Sequence, residues 1–586
     1  MKNFFSTLLA SFLGVLLTTI FLFFVFIVVL GAMVSSQNKP QPVKNNSVLY
    51  IPVNTQIIDR QPASSINLGQ FGIDKRLGLN QILQSIEHAK TDSRIKGIYI
   101  ETSIVETGYA TIDEIRLALT DFRESGKFVV SYSDIYTQKS YYLASASDKV
   151  FFNPAGMFML NGLRIKTQHY KKALENIGVE PVIVKMGKYK SATEPFEEYK
   201  MSDNNKEQMN ALTGSMWKNI SEKICSSRQI NEDTLDFLIN NLLIGSPEKL
   251  LGYKLVDSLV YKADVLDYLK NLCDISLGKD LNAISIGDYS RTISHGGIKS
   301  LSDSKIAVIY ASGAIYDGET DGENISGEQY AREIRLARRD SSIKAIVLRV
   351  NSPGGSAVAS DVILDEIART RGVKPIVVSM GDMAASGGYY ISCQADSVIA
   401  GENTITGSIG VFFRAAYAKA LFDKMGVSFD IVKTHEHTDI FSITRPYTHD
   451  ELDFLQRSIA RTYQLFMERV SAGRAMSIEQ VDNIAQGRVW SGTDAKRNGL
   501  IDSFGGLNDA INAAKKLAGT GAKYQLVELP AQETAFEKLV RDLSAEAKFN
   551  KALGLFGFDK PSVGQLANWV KYQGIMAEMP FYLTVE

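Results

Sequence analysis

Two glycine-rich turns and one serine carry most of the chemistry this sequence offers. Gly381 to Tyr390 reads G-D-M-A-A-S-G-G-Y-Y, with Ser386 set among small residues. The segment follows a short apolar run (Val377, Val378) suited to a buried strand and leads into a helix. A serine at such a junction is presented at the strand end, where the Gly387 N–H would face a developing oxyanion. Ala384, Ala385, Gly387 and Gly388 leave room for a substrate backbone. Asn351 to Ser356, N-S-P-G-G-S, forms a second strand-to-helix turn. Its Gly354 and Gly355 let backbone N–H groups approach a ligand with no Cβ in the way. Each turn also has a plain structural reading. A Pro-Gly-Gly turn is more often only a turn, and a serine before a helix is commonly its N-cap.

A second copy of the sequence weighs between these readings. Val129 to Tyr142 reads V-V-S-Y-S-D-I-Y-T-Q-K-S-Y-Y and matches Val377 to Tyr390, placing Gln138 under Ser386 at an offset of 248 (386 − 138). The pattern V-x-x-x-I-V-K recurs at the same offset, as Val179 to Lys185 and as Val427 to Lys433. A fixed offset through two separated blocks marks a duplicated domain. The first copy carries Tyr136, Thr137, Gln138, Lys139 and Ser140 where the second is small. Small residues are therefore not a folding requirement, and the functional reading of Ser386 gains over the N-cap.

A serine nucleophile needs a base. His435, His437 and His449 lie in the same copy, the first two in T-H-E-H-T-D, a polar stretch placed after a strand and suited to a solvated loop. The other option is a lysine made neutral by desolvation. The first copy reads M-G-K-Y-K-S-A-T-E-P-F from Met186 to Phe196, and Lys190 aligns with Thr438. A lone lysine is ordinarily solvated at the surface. Here the copies are complementary: one keeps the serine without the lysine, the other the lysine without the serine.

The elements that would position these residues follow from the pattern. Strands are expected at Ser47–Val53, Ile95–Glu101 and Phe128–Tyr132, with counterparts at Lys305–Tyr310, Ile343–Val350 and Pro375–Met380. With helical periodicity between them, as in Ser356–Thr370, they predict an α/β fold built on a parallel sheet in each repeat. The repeats span 47–274 and 305–525. A Gly/Ser/Asp-rich connection (275–304) joins them, and a non-duplicated extension (526–586) follows, with a helix expected over Glu533–Lys551.

Hydrophobic content of 45%, charged content of 22% and a net charge of −1 are ordinary for globular domains and supply no basic field for nucleic acid. The scattered cysteines Cys225, Cys273 and Cys393 form no disulfide framework, and no cluster has metal-ligand spacing, so neither metal nor cofactor is expected. The N-terminus differs. Leu8 to Val34 carries no charge, long enough for the ~20 apolar residues of a membrane span. It is longer than the ~7–15 residues of a cleaved signal's apolar region. Residues 1–36 are read as one transmembrane anchor with its N-terminus inside, and 37–46, polar and proline-containing, as a linker.

Four segments in register, N-S-P-G-G-S, G-D-M-A-A-S-G-G-Y-Y, T-G-S-I-G-V (Thr406 to Val411) and G-K-Y-K-S-A-T-E-P-F, resemble the signal peptide peptidase A family in its long, tandem-repeat bacterial form. The resemblance covers nearly the whole chain. It implies a ClpP/crotonase-like fold in each half and a Ser/Lys dyad shared between the halves. By motif, Ser386 is the nucleophile and Lys190 the base, favoured over Lys188 by the family pattern G-x-x-K-S/D. Ser408 hydrogen-bonds the lysine amine, and Gly354 or Gly355 with Gly387 forms the oxyanion hole. It also implies a homotetramer at the bacterial inner membrane, with its body on the periplasmic or exterior side, acting on remnant signal peptides. Two other readings share the fold: a crotonase-like acyl-CoA enzyme, and a catalytically inactive membrane scaffold that binds peptides.

Overall fold

The computed structural model describes residues 10–19, 21–22, 25, 41–62, 66–67, 72–73, 76–296, 304–318, 324–521, 524–532 and 574–579. Residues 10–19 are helical. Most of the apolar run expected to cross a membrane, and all of Glu533–Lys551, lie outside the described residues. Among the described residues no helix is long and apolar enough to cross a membrane.

Each repeat builds a sheet that is parallel, apart from an antiparallel edge strand (Val489–Ser491 on Ile405–Gly407) in the second. In the first half the order is Ser258–Leu259, Lys149–Phe158, Phe128–Tyr136, Ile95–Thr102, Ser47–Val53, Ala283–Ser285. In the second it is Val489–Ser491, Ile405–Gly407, Ile376–Ala385, Ile343–Ser352, Lys305–Ser312, Gln525–Leu529. The central strands are buried on both faces and read as near-continuous apolar runs, as IKAIVLRV does. The connection between the repeats is more than a linker. Its Ala283–Ser285 strand pairs with Val48–Tyr50, and the Ile286–Gly296 helix follows. The strand Gln525–Leu529, which begins at the last residue of the second repeat and runs into the C-terminal extension, likewise pairs with Lys305–Ile309. In both cases the residues after a repeat return to close an edge that would otherwise leave backbone groups unpaired.

A third sheet joins the halves. Its order is Ile325–Ser326, Ile315–Tyr316, Gly354–Ser356, Gly574–Glu578, Val411–Tyr417, Glu180–Met186. Glu180–Met186 comes from the first half and runs antiparallel to Val411–Tyr417 of the second, from Val411 opposite Met186 to Tyr417 opposite Glu180. The repeated block at Val427–Lys433 does not form the matching strand, which corrects the expectation of a strand before T-H-E-H-T-D. That segment is exposed, Val432 fully so. Its would-be partner, residues 163–169, also forms no strand, and a strand without a partner leaves its backbone to water.

Charge locks the halves together. Arg349, wholly buried, places Nε 2.8 Å from Asp59 and Nη2 2.7 Å from Glu114, both of the first half. Asn351 Nδ2 donates to Asp59 at 2.8 Å. Asp382, four residues before Ser386, accepts from Thr111 N at 2.9 Å, Thr111 Oγ1 at 2.7 Å and Gly108 N at 3.1 Å at the start of the Tyr109–Glu124 helix. The strand that presents the serine is thus tied to the half that carries the lysine. Removing the guanidinium would leave two carboxylates buried without a partner, so Arg349→Met is expected to lower stability by ~3–5 kcal/mol. A urea unfolding midpoint indistinguishable from wild type would contradict this.

Candidate active site

Ser386 closes the Ile376–Ala385 strand and opens the short Gly387–Tyr390 helix. Its φ of 54° and ψ of −112° are unusual for a residue with a side chain. The geometry is held by Ser386 N donating to Gly407 O and Tyr390 N donating to Ser386 O, each at 2.8 Å. Ser386 makes no side-chain cap bond. The first copy shows what a plain cap at this junction looks like: Thr137 Oγ1 accepts from Ser140 N, and Gln138 is held by Tyr109 and by the backbone of Asn161 and Gly162. The N-cap reading of Ser386 therefore fails on geometry.

Lys190 follows the Glu180–Met186 strand, so the antiparallel pairing with Val411–Tyr417 carries it into the second half. Its Nζ lies 2.8 Å from Ser386 Oγ, 3.0 Å from Ser408 Oγ and 3.2 Å from Ser408 O. All three residues are buried. A neutral amine has two N–H bonds and one lone pair. With its two hydrogens on the two oxygens of Ser408, such an amine would turn its lone pair to the Ser386 hydroxyl. Burial pushes the Lys190 pKa down to about 7, and the Glu578 carboxylate opposes that shift. Ser408 has a positive φ of 51° and donates its own N–H to Arg488 O at 2.7 Å.

The oxyanion turn also forms. Gly354 has a φ of 100°, and a Cβ there would collide with the Ala577 carbonyl oxygen and lie 2.6 Å from Gly387 N. Gly354 and Gly387 therefore face one another across a space that only bare backbone can line. Gly355, at the next position, pairs with Ala577.

The other candidates fall away. Lys188 is exposed, with its ammonium over the Tyr189 ring. His435, His437 and His449 are exposed, and their recorded partners are Thr434, Glu451 and Asp453, none of them a site residue. Three neighbours escaped the sequence reading: Gly487, Arg414 and Glu578. Gly487 N donates to Ile409 O at 2.8 Å, and a Cβ on it would meet Lys190 Cβ at 2.6 Å. Glu578 is wholly buried, and burial lifts its carboxyl to about 7. None stands in a patterned motif, so no local signal announced them.

A buried serine against a desolvated lysine, beside a glycine-lined oxyanion turn, is the arrangement of a serine hydrolase. The chain belongs to peptidase family S49, whose model matches residues 121–276 and again 368–521. Those two segments follow the internal repeat. The chain is 35% identical to Protease 4 of Haemophilus influenzae over 83% of this chain and 85% of that protein. It is 38% identical to Protease 4 of Salmonella typhi over 85% and 83%. It is 31% identical to the chloroplastic serine protease SPPA of Arabidopsis thaliana over 92% and 78%. Among solved structures, a mutant ClpP1 from Listeria monocytogenes is 17% identical and covers 35% of this chain and 94% of its own, with a TM-score of 0.24, too low to fix the fold by itself. The protein is a serine protease of this family, with peptides as its substrates.

Because Gly487 touches the lysine backbone, Gly487→Ala is expected to displace Nζ and lower kcat/KM by about 100-fold with the fold retained. Unchanged peptide hydrolysis, with an unchanged circular dichroism spectrum, would show that the close approach does not position Lys190.

Proposed function

We propose that this protein is a membrane-anchored endopeptidase in which Ser386 and Lys190 form the catalytic dyad. The observation that carries the reading is the 2.8 Å approach of Lys190 Nζ to Ser386 Oγ in a site closed to bulk water. Neutral Lys190 takes the hydroxyl proton as Ser386 Oγ attacks a peptide carbonyl. Backbone N–H groups of Gly387 and of the Gly354–Gly355 turn receive the oxyanion, commonly the largest catalytic contribution. Lys190 then protonates the leaving amine, and water resolves the acyl-enzyme. Ser408 orients the amine by accepting its two hydrogens. The ClpP/crotonase-type reading of each half is supported by its parallel sheet and by the strand-to-helix turn at the serine.

The uncharged run from Leu8 to Val34 supports a single-pass anchor that holds the body against the membrane on the periplasmic or exterior side. Remnant signal peptides, which stay in the membrane after cleavage, are the substrates the family resemblance suggests.

Self-assembly is supported by what the repeat leaves unpaired. Val184 and Phe413 are buried opposite one another at the junction between the halves. Their repeat counterparts, Val432 and Ile165, do not face each other across a strand pair among the described residues: Val432 is fully exposed and Ile165 half-buried. If the junction recurs between chains in the same register, Val432 of one copy faces Ile165 of the next. A head-to-tail contact of this kind gives a ring when successive rotations close, and a quarter turn per contact would give the homotetramer.

Ser386→Ala and Lys190→Ala are each expected to lower peptide hydrolysis by at least about 1,000-fold, and Lys188→Ala to leave it near wild type. A serine-directed fluorophosphonate should label the wild type and not Ser386→Ala. Full activity in either dyad variant would sink the assignment. For the assembly, Ile165→Cys with Val432→Cys in one chain should give an oxidised ladder of covalent oligomers in detergent; oxidised protein that stays monomeric would refute this contact.

A further inference from the structure

The strand Gly574–Glu578 lies across the site between the oxyanion turn and the strand that receives Lys190's half. It runs antiparallel to Gly354–Ser356 on one side, with Gly355 opposite Ala577, and to Phe412–Arg414 on the other, with Phe412 opposite Met576. Met579 N donates to Pro353 O at 2.9 Å. The Ala577 carbonyl oxygen is pressed against Gly354 and would lie 3.0 Å from a Cβ on Gly387. Met576, Ala577, Glu578 and Met579 are all buried. An extended backbone bonded along both edges, with its carbonyl against the oxyanion glycines, is how a peptide would enter a protease groove by strand addition.

One side chain anchors the strand by charge. Glu578 sits 3.5 Å from Arg414 Nη1, both groups buried. Among the described residues, Arg414 Nε and Glu578 Oε1 have no hydrogen-bond partner. Release of Glu578 would strand the buried Arg414 guanidinium unless an incoming carboxylate took its place. The Glu578 carboxylate also favours the protonated form of Lys190, the form unable to act as base.

We infer that Gly574–Met579 is a resident pseudosubstrate of the peptide groove, anchored through Glu578 by Arg414. The inference rests on the reading of Ser386 and Lys190 as the peptidase site. An external peptide must displace this strand, and the vacated groove favours a small residue against Gly354 and Gly387 followed by an acidic residue on Arg414. Arg414 is thus a specificity-determining residue as well as the anchor of the tail.

The test compares the full chain with one ending at Gln573 and with the full-length Glu578→Lys variant, whose added cation would repel Arg414 and Lys190. In a Ser386→Ala background, a fluorescein-labelled, end-capped peptide Gly-Ile-Met-Ala-Glu-Met should bind the truncated chain and Glu578→Lys at least about tenfold more tightly than the full chain. The same peptide with Gln in place of Glu should bind these forms at least about tenfold more weakly, and that difference should vanish with Arg414→Gln. With Ser386 restored, both released forms should hydrolyse an unfolded reporter peptide several-fold faster than the full chain. Equal binding to all forms, no binding to the released forms, or an active full chain whose hydrolysis the released forms do not exceed would overturn the inference. If the truncated chain unfolds, Glu578→Lys carries the comparison. Differential binding with no hydrolysis by any form would leave the strand in its groove and remove the peptidase reading instead.

Discussion

A lysine ammonium of ordinary pKa cannot take a proton from serine near neutral pH, so this site depends on keeping the Lys190 amine out of water. Burial supplies that condition, and burial here is a product of strand pairing. Glu180–Met186 of the first half adds to Val411–Tyr417 of the second, and the chain then turns so that Lys190 enters the second half's core. Gly487 allows the lysine backbone to come close, and Ser408 takes up the amine hydrogens. The shift to about 7 therefore belongs to the joint between the halves rather than to any one segment.

This accounts for the direction in which the repeats have diverged. At the corresponding place in the first half, Gln138 is fixed by hydrogen bonds and Tyr136 puts a buried ring where the second half has Ala384. At the place corresponding to Lys190, Thr438 is exposed and its hydroxyl donates to the His435 carbonyl. One joint inside the chain is built for chemistry, and the elements of the other face outward. The buried Arg349 with Asp59 and Glu114, and Asp382 at the start of the Tyr109–Glu124 helix, keep the catalytic joint in register.

Much of this was legible in the sequence because duplication acts as an internal control. Ser386, Ser408, Gly354, Gly355, Gly387 and Lys190 could be named by comparing one copy with the other and with a family pattern, and the structure brings them together. The parallel sheets were legible from doubly buried apolar strands. What escaped stands in no motif, and part of it has no counterpart to compare with. Gly574–Glu578 lies outside the repeat and has too few residues to show a period, so its place in the site follows only from tertiary pairing. Val427–Lys433 misled for the converse reason: it keeps the strand pattern of its counterpart, but a strand requires a partner and pattern alone cannot supply one.

The central claim is that Lys190 works as a neutral base near physiological pH. The most direct measurement is the pH dependence of kcat/KM for an unfolded reporter peptide, from pH 5 to pH 10 at constant ionic strength. The lysine must lose its proton to act, so the rate should climb through an ascending limb with a midpoint near 7 and then level off. Glu578→Gln, which removes the carboxylate and keeps the strand, should move that midpoint lower, since the carboxylate favours the protonated lysine. A rate flat across this range, or an ascending limb that begins only near the ordinary lysine pKa, would contradict the account.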